Sequence, residues 1–153
     1  MTDRATVARI LTENRYCVLA TVDAGGRPWA TPVFFAPLGD DRLCWVSGPD
    51  ARHSRTLAAR PSVAVTVFDS TVEVGHAEAA YAEGSASLVP ADEVEAALRA
   101  LNGRLPAARR LTPGDVGPQG PMRVYQVRIE HRYVLVRGGD PDHGNTLDMS
   151  LEV

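Results

Sequence analysis

A chain of 153 residues, 44% hydrophobic and 23% charged, has the length and composition of one soluble globular domain, taken here as residues 1–153. Its net charge of −3, with acids and bases mixed along the chain, excludes the basic excess of a nucleic-acid or membrane-surface binder. No apolar run approaches a bilayer span, and MTDRATVARIL lacks the apolar stretch of a secretion signal, so the expected location is the cytoplasm.

In chain order, residues 3–14 place Val7, Ile10 and Leu11 at helical spacing, with Thr2 or Asp3 as N-cap. Tyr16–Val22 reads as a strand, Asp23-Ala24-Gly25-Gly26 as a hairpin turn, and residues 29–36 as the returning strand. Pro32 inside that strand calls for an edge, a bulge or a replaced ladder bond. After a turn at residues 38–41 comes a third strand, Arg42–Ser47. A helix over residues 50–59 stops before Pro61, because a residue preceding proline disfavours the α region. Ser62–Phe68 is a fourth strand with Val63, Val65 and Val67 on one face.

Residues 77–89 form a long fifth strand, in which Gly84 marks a bulge or a close backbone approach. The spacing of Val94, Leu98, Leu101 and Leu105 predicts a helix over 92–105, with Asp92 and Glu95 resembling a capping box. The Pro- and Gly-rich stretch 106–121 reads as a surface loop and 122–136 as the longest strand. Residues 138–145 are turn-rich, and 146–153 supply a short edge strand. Six or seven hairpin-linked, mostly antiparallel strands with peripheral helices suit a mainly β fold, a small closed or split barrel. A doubly wound nucleotide fold would need a regular strand–helix alternation that this chain lacks.

Residues 43–57, LCWVSGPDARHSRTL, carry the chemistry. A strand ends at Ser47, and a helix begins with Arg52, His53, Ser54 and Arg55 in its first turn. Unpaired N–H groups at a helix start favour anions, and guanidinium, imidazole and hydroxyl donors added there make a candidate phosphate cradle. The P-loop, G-x-G-x-x-G, G-x-S-x-G and Cys-x-x-Cys signatures are absent. His53, His76, His131 and His143 lack metal-ligand spacing, so no metal site is expected, and Asp140-Pro141-Asp142-His143-Gly144 reads as a turn. Cys17 and Cys44 lie in apolar runs and read as buried thiols. Base rates place Trp29, Phe34, Phe35, Trp45 and Phe68 in core packing.

The ordered combination of ATVDAGGRPWATPVFFAP, LCWVSGPDARHSRTLAARPSVAVTVFDS and YAEGSAS resembles the pyridoxamine 5′-phosphate oxidase-like family of flavin- and deazaflavin-binding split barrels. The resemblance covers roughly residues 10–89. It implies an FMN-binding oxidoreductase, with coenzyme F420 as the alternative cofactor and a non-catalytic flavin or haem binder as the alternative function. It also implies a homodimer holding the cofactor at its interface and acting on a small organic molecule. Thr31, Pro32, Val33 and Phe34 would lie along the isoalloxazine ring, Phe34 nearest to it. Ser47 would sit near the ribityl-phosphate end, and Arg52 and His53 would hold the phosphate with Ser54 beside them. Leu57 would anchor the helix to the barrel. His53 departs from the family's usual Lys. No catalytic side chain stands out, as expected where the cofactor supplies the chemistry.

Overall fold

The structure, a computed structural model, describes residues 2–153. Its elements are α1 (Asp3–Glu13), β1 (Tyr16–Val22), β2 (Pro28–Pro37), β3 (Arg42–Ser47), α2 (Arg52–Ala59), β4 (Ser62–Phe68) and β5 (Ala79–Leu88). They continue with α3 (Val94–Asn102), α4 (Pro113–Val116), β6 (Arg123–Val136) and β7 (Met149–Glu152). All ladders are antiparallel, in the order β3-β2-β1-β4-β5-β6-β7, and a further β3–β6 pairing closes the first six strands into a barrel. β7 extends the sheet beyond β6. The expected mainly β split-barrel class is the fold observed.

Alternation along each strand fills the interior. Leu19, Phe35, Trp45, Val65 and Val127 all point inward and are buried. β5 contributes the small Ala80, Ala82 and Ala86, leaving room for Phe35 and the Trp45–Tyr125 stack, whose ring centroids are 6.1 Å apart. Burying each large aromatic contributes about 2–3 kcal/mol. Val7 and Ile10 of α1 and Leu57 of α2 join the same core. A second cluster lies under α3 and α4, around Leu98, Leu101 and Val116.

The hairpin turn forms as expected: Asp23 Oδ1 accepts from the N–H groups of Gly25 and Arg27, both at 2.9 Å, and Gly26 takes φ +81°. Pairing shifts by one residue at Glu83/Gly84 opposite β6, which is the irregularity Gly84 marks. Cys17 and Cys44 are free and buried, and burial pushes both thiols up to about 12. Three expectations need correcting. The helix expected over 92–105 is α3 behind a 3₁₀ turn at Ala91–Glu93, and no side chain caps it, so the Asp92/Glu95 box does not form. The expected loop contains α4, whose capping box is Thr112/Asp115 with Pro113 at the helix start. Trp29 and Phe68 are exposed rather than in the core.

Candidate functional site

The site begins where β2 and β3 separate. β1 pairs with β2 from Pro28 to Phe34, whereas β3 pairs with β2 only at Phe35, Ala36 and Pro37. Residues 31–34 therefore have β1 on one side and a gap on the other. The Phe35 N–H donates to the Arg15 carbonyl at 3.0 Å, on the β1 side. Backbone groups alternate along a strand, so those of Thr31 and Val33 face β1 and those of Ala30 and Pro32 face the gap. Pro32 thus costs no ladder bond; of the three options the sequence left open, the edge is the one realised. The edge offered to a ligand centres on Pro32, not on all four residues. Val33 is buried, Thr31 and Phe34 are half-buried, and Phe34 packs edge-on against Tyr16 at 6.1 Å.

At the far side of the gap β3 ends at Ser47, and the chain turns into α2. Ala51, the N-cap, makes no side-chain cap bond, so the first-turn N–H groups are not spent on a side chain. His53 Nε2 lies 2.8 Å from Ser47 Oγ, tying the strand end to the helix start. Burial holds the His53 pKa below its ordinary 6.5, so the ring is neutral at pH 7. Arg52 lies with its guanidinium carbon 4.0 Å from the centroid of the Trp29 ring. Trp29, 39% exposed at the start of β2, was assigned to the core by the sequence and instead carries this stacked guanidinium. Arg55 is exposed on the same helix turn.

Ser54 and Leu57 face the barrel instead. Successive helix residues rotate by about 100°, so Ser54 faces nearly opposite Arg52. Ser54 is 2% exposed, with its hydroxyl buried and unpaired, and Leu57 is 3% exposed in the barrel core. Leu57 packs α2 onto the barrel core, and in this structure both side chains turn away from Arg52. Ser47 and His53 meet at the β3 side of the gap, and Arg52 reaches across to Trp29 on β2.

The outer face of the barrel runs flush with the gap. Pro32, Val18, Thr66, Tyr81 and Tyr133 form one cross-strand row, and Ala30, Ala20, Ala64 and Glu83 form the next. Among the described residues no group of three or more His, Cys, Asp or Glu could hold a metal ion, and no helix is long and apolar enough to cross a membrane.

The sequence profile described as pyridoxamine 5′-phosphate oxidase matches residues 4–135. The chain belongs to the pyridoxamine 5′-phosphate oxidase family. Three solved structures carry the same fold. A heme-binding protein from Mycobacterium smegmatis is 20% identical, with TM-score 0.76 over 98% of this chain and 57% of its own. The heme storage protein HutZ from Vibrio cholerae is 19% identical, with TM-score 0.66 over 85% and 92%. An FAD-binding protein from Mesorhizobium loti is 20% identical, with TM-score 0.63 over 84% and 90%. The chain spans little more than half the length of the Mycobacterium protein. No curated protein sequence matches it significantly. Where the resemblance led one to expect Lys, this chain has His53, whose pKa burial lowers, and the exposed Arg52 and Arg55 are the charged side chains of that helix turn.

Proposed function

We propose that this protein binds FMN in the gap between β2 and β3, as a homodimer, and transfers a hydride to or from a small organic molecule. The supporting observation is convergence: an uncapped helix start, the Arg52 guanidinium and the paired Ser47 hydroxyl stand at the end of the gap that exposes the β2 edge. A ligand with a phosphate at one end and a hydrogen-bonding ring edge at the other matches both halves.

The residues present fit such a group. Arg52 offers in-plane N–H donors to two phosphate oxygens. An imidazole carrying its proton on Nε2 donates to Ser47 Oγ and leaves the Ser47 proton free for the phosphate. The Pro32 carbonyl accepts from a ring N–H without breaking the β1 ladder. The outer rows, with Pro32, Val18 and three alanines beside the Tyr81 and Tyr133 rings, suit coverage by a second copy, which would exclude water from the open face of the ring. When bound, the flavin supplies the hydride chemistry.

Coenzyme F420 is the closest competitor because it offers the same cradle a phosphate. Haem is less well matched, since the imidazole in the gap already uses Nε2 on Ser47. The test is the absorption spectrum of the purified protein titrated with FMN, F420 and hemin, with oligomeric state measured in parallel. FMN uptake by a dimer supports the proposal. A deazaflavin band or a Soret band without flavin uptake, or binding by a monomer, overturns its corresponding part. NAD(P)H reduction of the bound flavin then separates an enzyme from a carrier.

A further inference from the structure

Arg52 differs from the arginines that stabilise the fold. Arg9 spends its donors on Glu13 and Glu78, Arg42 on Glu93 and Gln126, and Arg104 and Arg123 on backbone carbonyls. Among the described residues none accepts a hydrogen bond from Arg52, and its one close partner is the Trp29 face. Asp23 stands near enough to feel it: the Arg27 N–H lowers the Asp23 pKa most, and the Arg52 charge contributes least among the causes. Yet Asp23 Oδ1 is committed to the turn through Gly25 and Arg27. Arg52 is therefore held by an aromatic plane while its hydrogen-bonding capacity stays unspent.

A guanidinium stacked on a ring uses its π face, and its N–H groups, which lie in its own plane, point outward around the edge. Phosphate is bound at that edge. Fixing the plane in advance removes part of the side-chain ordering cost that an unsupported Arg meets on binding. We infer that Trp29 is the positioning residue for Arg52, and that the pair makes the site select a phosphorylated flavin over its dephosphorylated form. This rests on the proposed flavin site. It assigns a role to a residue two positions before Thr31 that does not itself touch the phosphate.

The test compares Kd for FMN and for riboflavin, read by flavin fluorescence, in the wild type, Trp29→Ala, Trp29→Phe, Arg52→Ala and the Trp29→Ala/Arg52→Ala double variant. Trp29→Ala should weaken FMN binding roughly two- to fivefold and leave riboflavin unchanged. Trp29→Phe, which keeps an aromatic face, should recover most of the loss. In the Arg52→Ala background Trp29→Ala should have no further effect on FMN. Equal weakening of FMN and riboflavin would make Trp29 a ring or fold contact and overturn the inference. So would an undiminished effect without Arg52. If the wild type binds neither flavin, the proposed function falls instead. The same cycle with inorganic pyrophosphate, read by calorimetry, then decides the pairing, and equal affinities in wild type and Trp29→Ala would sink it.

Discussion

His53 Nε2 and Ser47 Oγ lie 2.8 Å apart, so the last residue of β3 and the first turn of α2 share one hydrogen bond at the mouth of the gap. The consequence is a pH dependence with opposite signs in the empty and loaded protein. Burial holds the folded His53 pKa below 6.5, so the contribution of His53 to the stability of the empty protein rises with pH through the ordinary histidine range. A phosphate dianion beside the ring favours the imidazolium and raises that pKa. FMN affinity should therefore fall as pH rises through the value in the complex. Titrations from pH 6 to 8 check this against His53→Gln, whose profile should retain only the phosphate's own ionisation near pH 6. Parallel profiles in the two proteins would remove His53 from the phosphate.

Gly84 faces the Arg128 backbone so closely that an added Cβ would overlap its carbonyl oxygen and press on the Val127 side chain. The register shift at Glu83/Gly84 allows this approach. Gly84→Ala must move β6, and a backbone atom gives less readily than a side chain. A loss of about 2–3 kcal/mol in urea unfolding is expected. The same substitution at Gly25, whose Cβ would meet the Asp23 side chain at an ordinary 3.4 Å, should cost far less. Similar losses at the two sites would argue against a close approach at Gly84.

What the sequence made legible was local. Val63, Val65 and Val67 alternate because one face of β4 is buried, and that period survives without knowledge of the partners. Pro32 announced an irregularity, though not which of three, because a missing N–H has few tolerable places in a sheet. Ser47, Arg52 and His53 were legible because they lie near one another in sequence. Trp29 was not, since its exposure depends on where β3 leaves β2, a long-range event that composition does not record. The inward turn of Ser54 was also legible: with Leu57 fixed inward, the helical repeat turns Ser54 inward too. Thr112-Pro113-Gly114-Asp115 carried a helix-start signal that the surrounding Pro and Gly content masked.

Arg104 closes the end of α1 from the far side of the sequence. It donates to the carbonyls of Phe35 at 2.7 Å, Thr12 at 3.1 Å, Leu11 at 3.4 Å and Asn14, and its guanidinium lies 4.9 Å from the Phe35 ring centroid. Burial lowers its pKa first, with the Arg15 charge adding to the effect. Arg104→Met keeps the aliphatic stem and strands those acceptors, two of them in the last turn of α1 and one on β2. A loss of about 3 kcal/mol is expected from denaturant unfolding. Arg104→Lys should recover only part, because an ammonium cannot span the same carbonyls. Full recovery by Lys would reduce the contribution to charge alone.

His143 bridges the turn before β7 to the start of α1, with Nδ1 2.8 Å from Asp140 Oδ1 and Nε2 3.2 Å from Asp3 Oδ2. Bonding to Asp140, and then to Asp3, raises its pKa above the ordinary 6.5. A folded value above the unfolded one means the imidazolium is favoured by folding. Its contribution is fully present below the unfolded pKa and is lost as pH rises through the folded pKa. The Tm advantage of the wild type over His143→Gln should therefore shrink from about pH 6.5 upward. His131, raised in the same direction mainly by Glu152, is retained in both proteins and cancels in the comparison. Its exposed site also predicts stronger screening by salt than His143 shows. Measuring the Tm difference between wild type and His143→Gln from pH 5.5 to 8.5 isolates the bridge. A difference that stays constant across the range would remove His143 from the pH dependence.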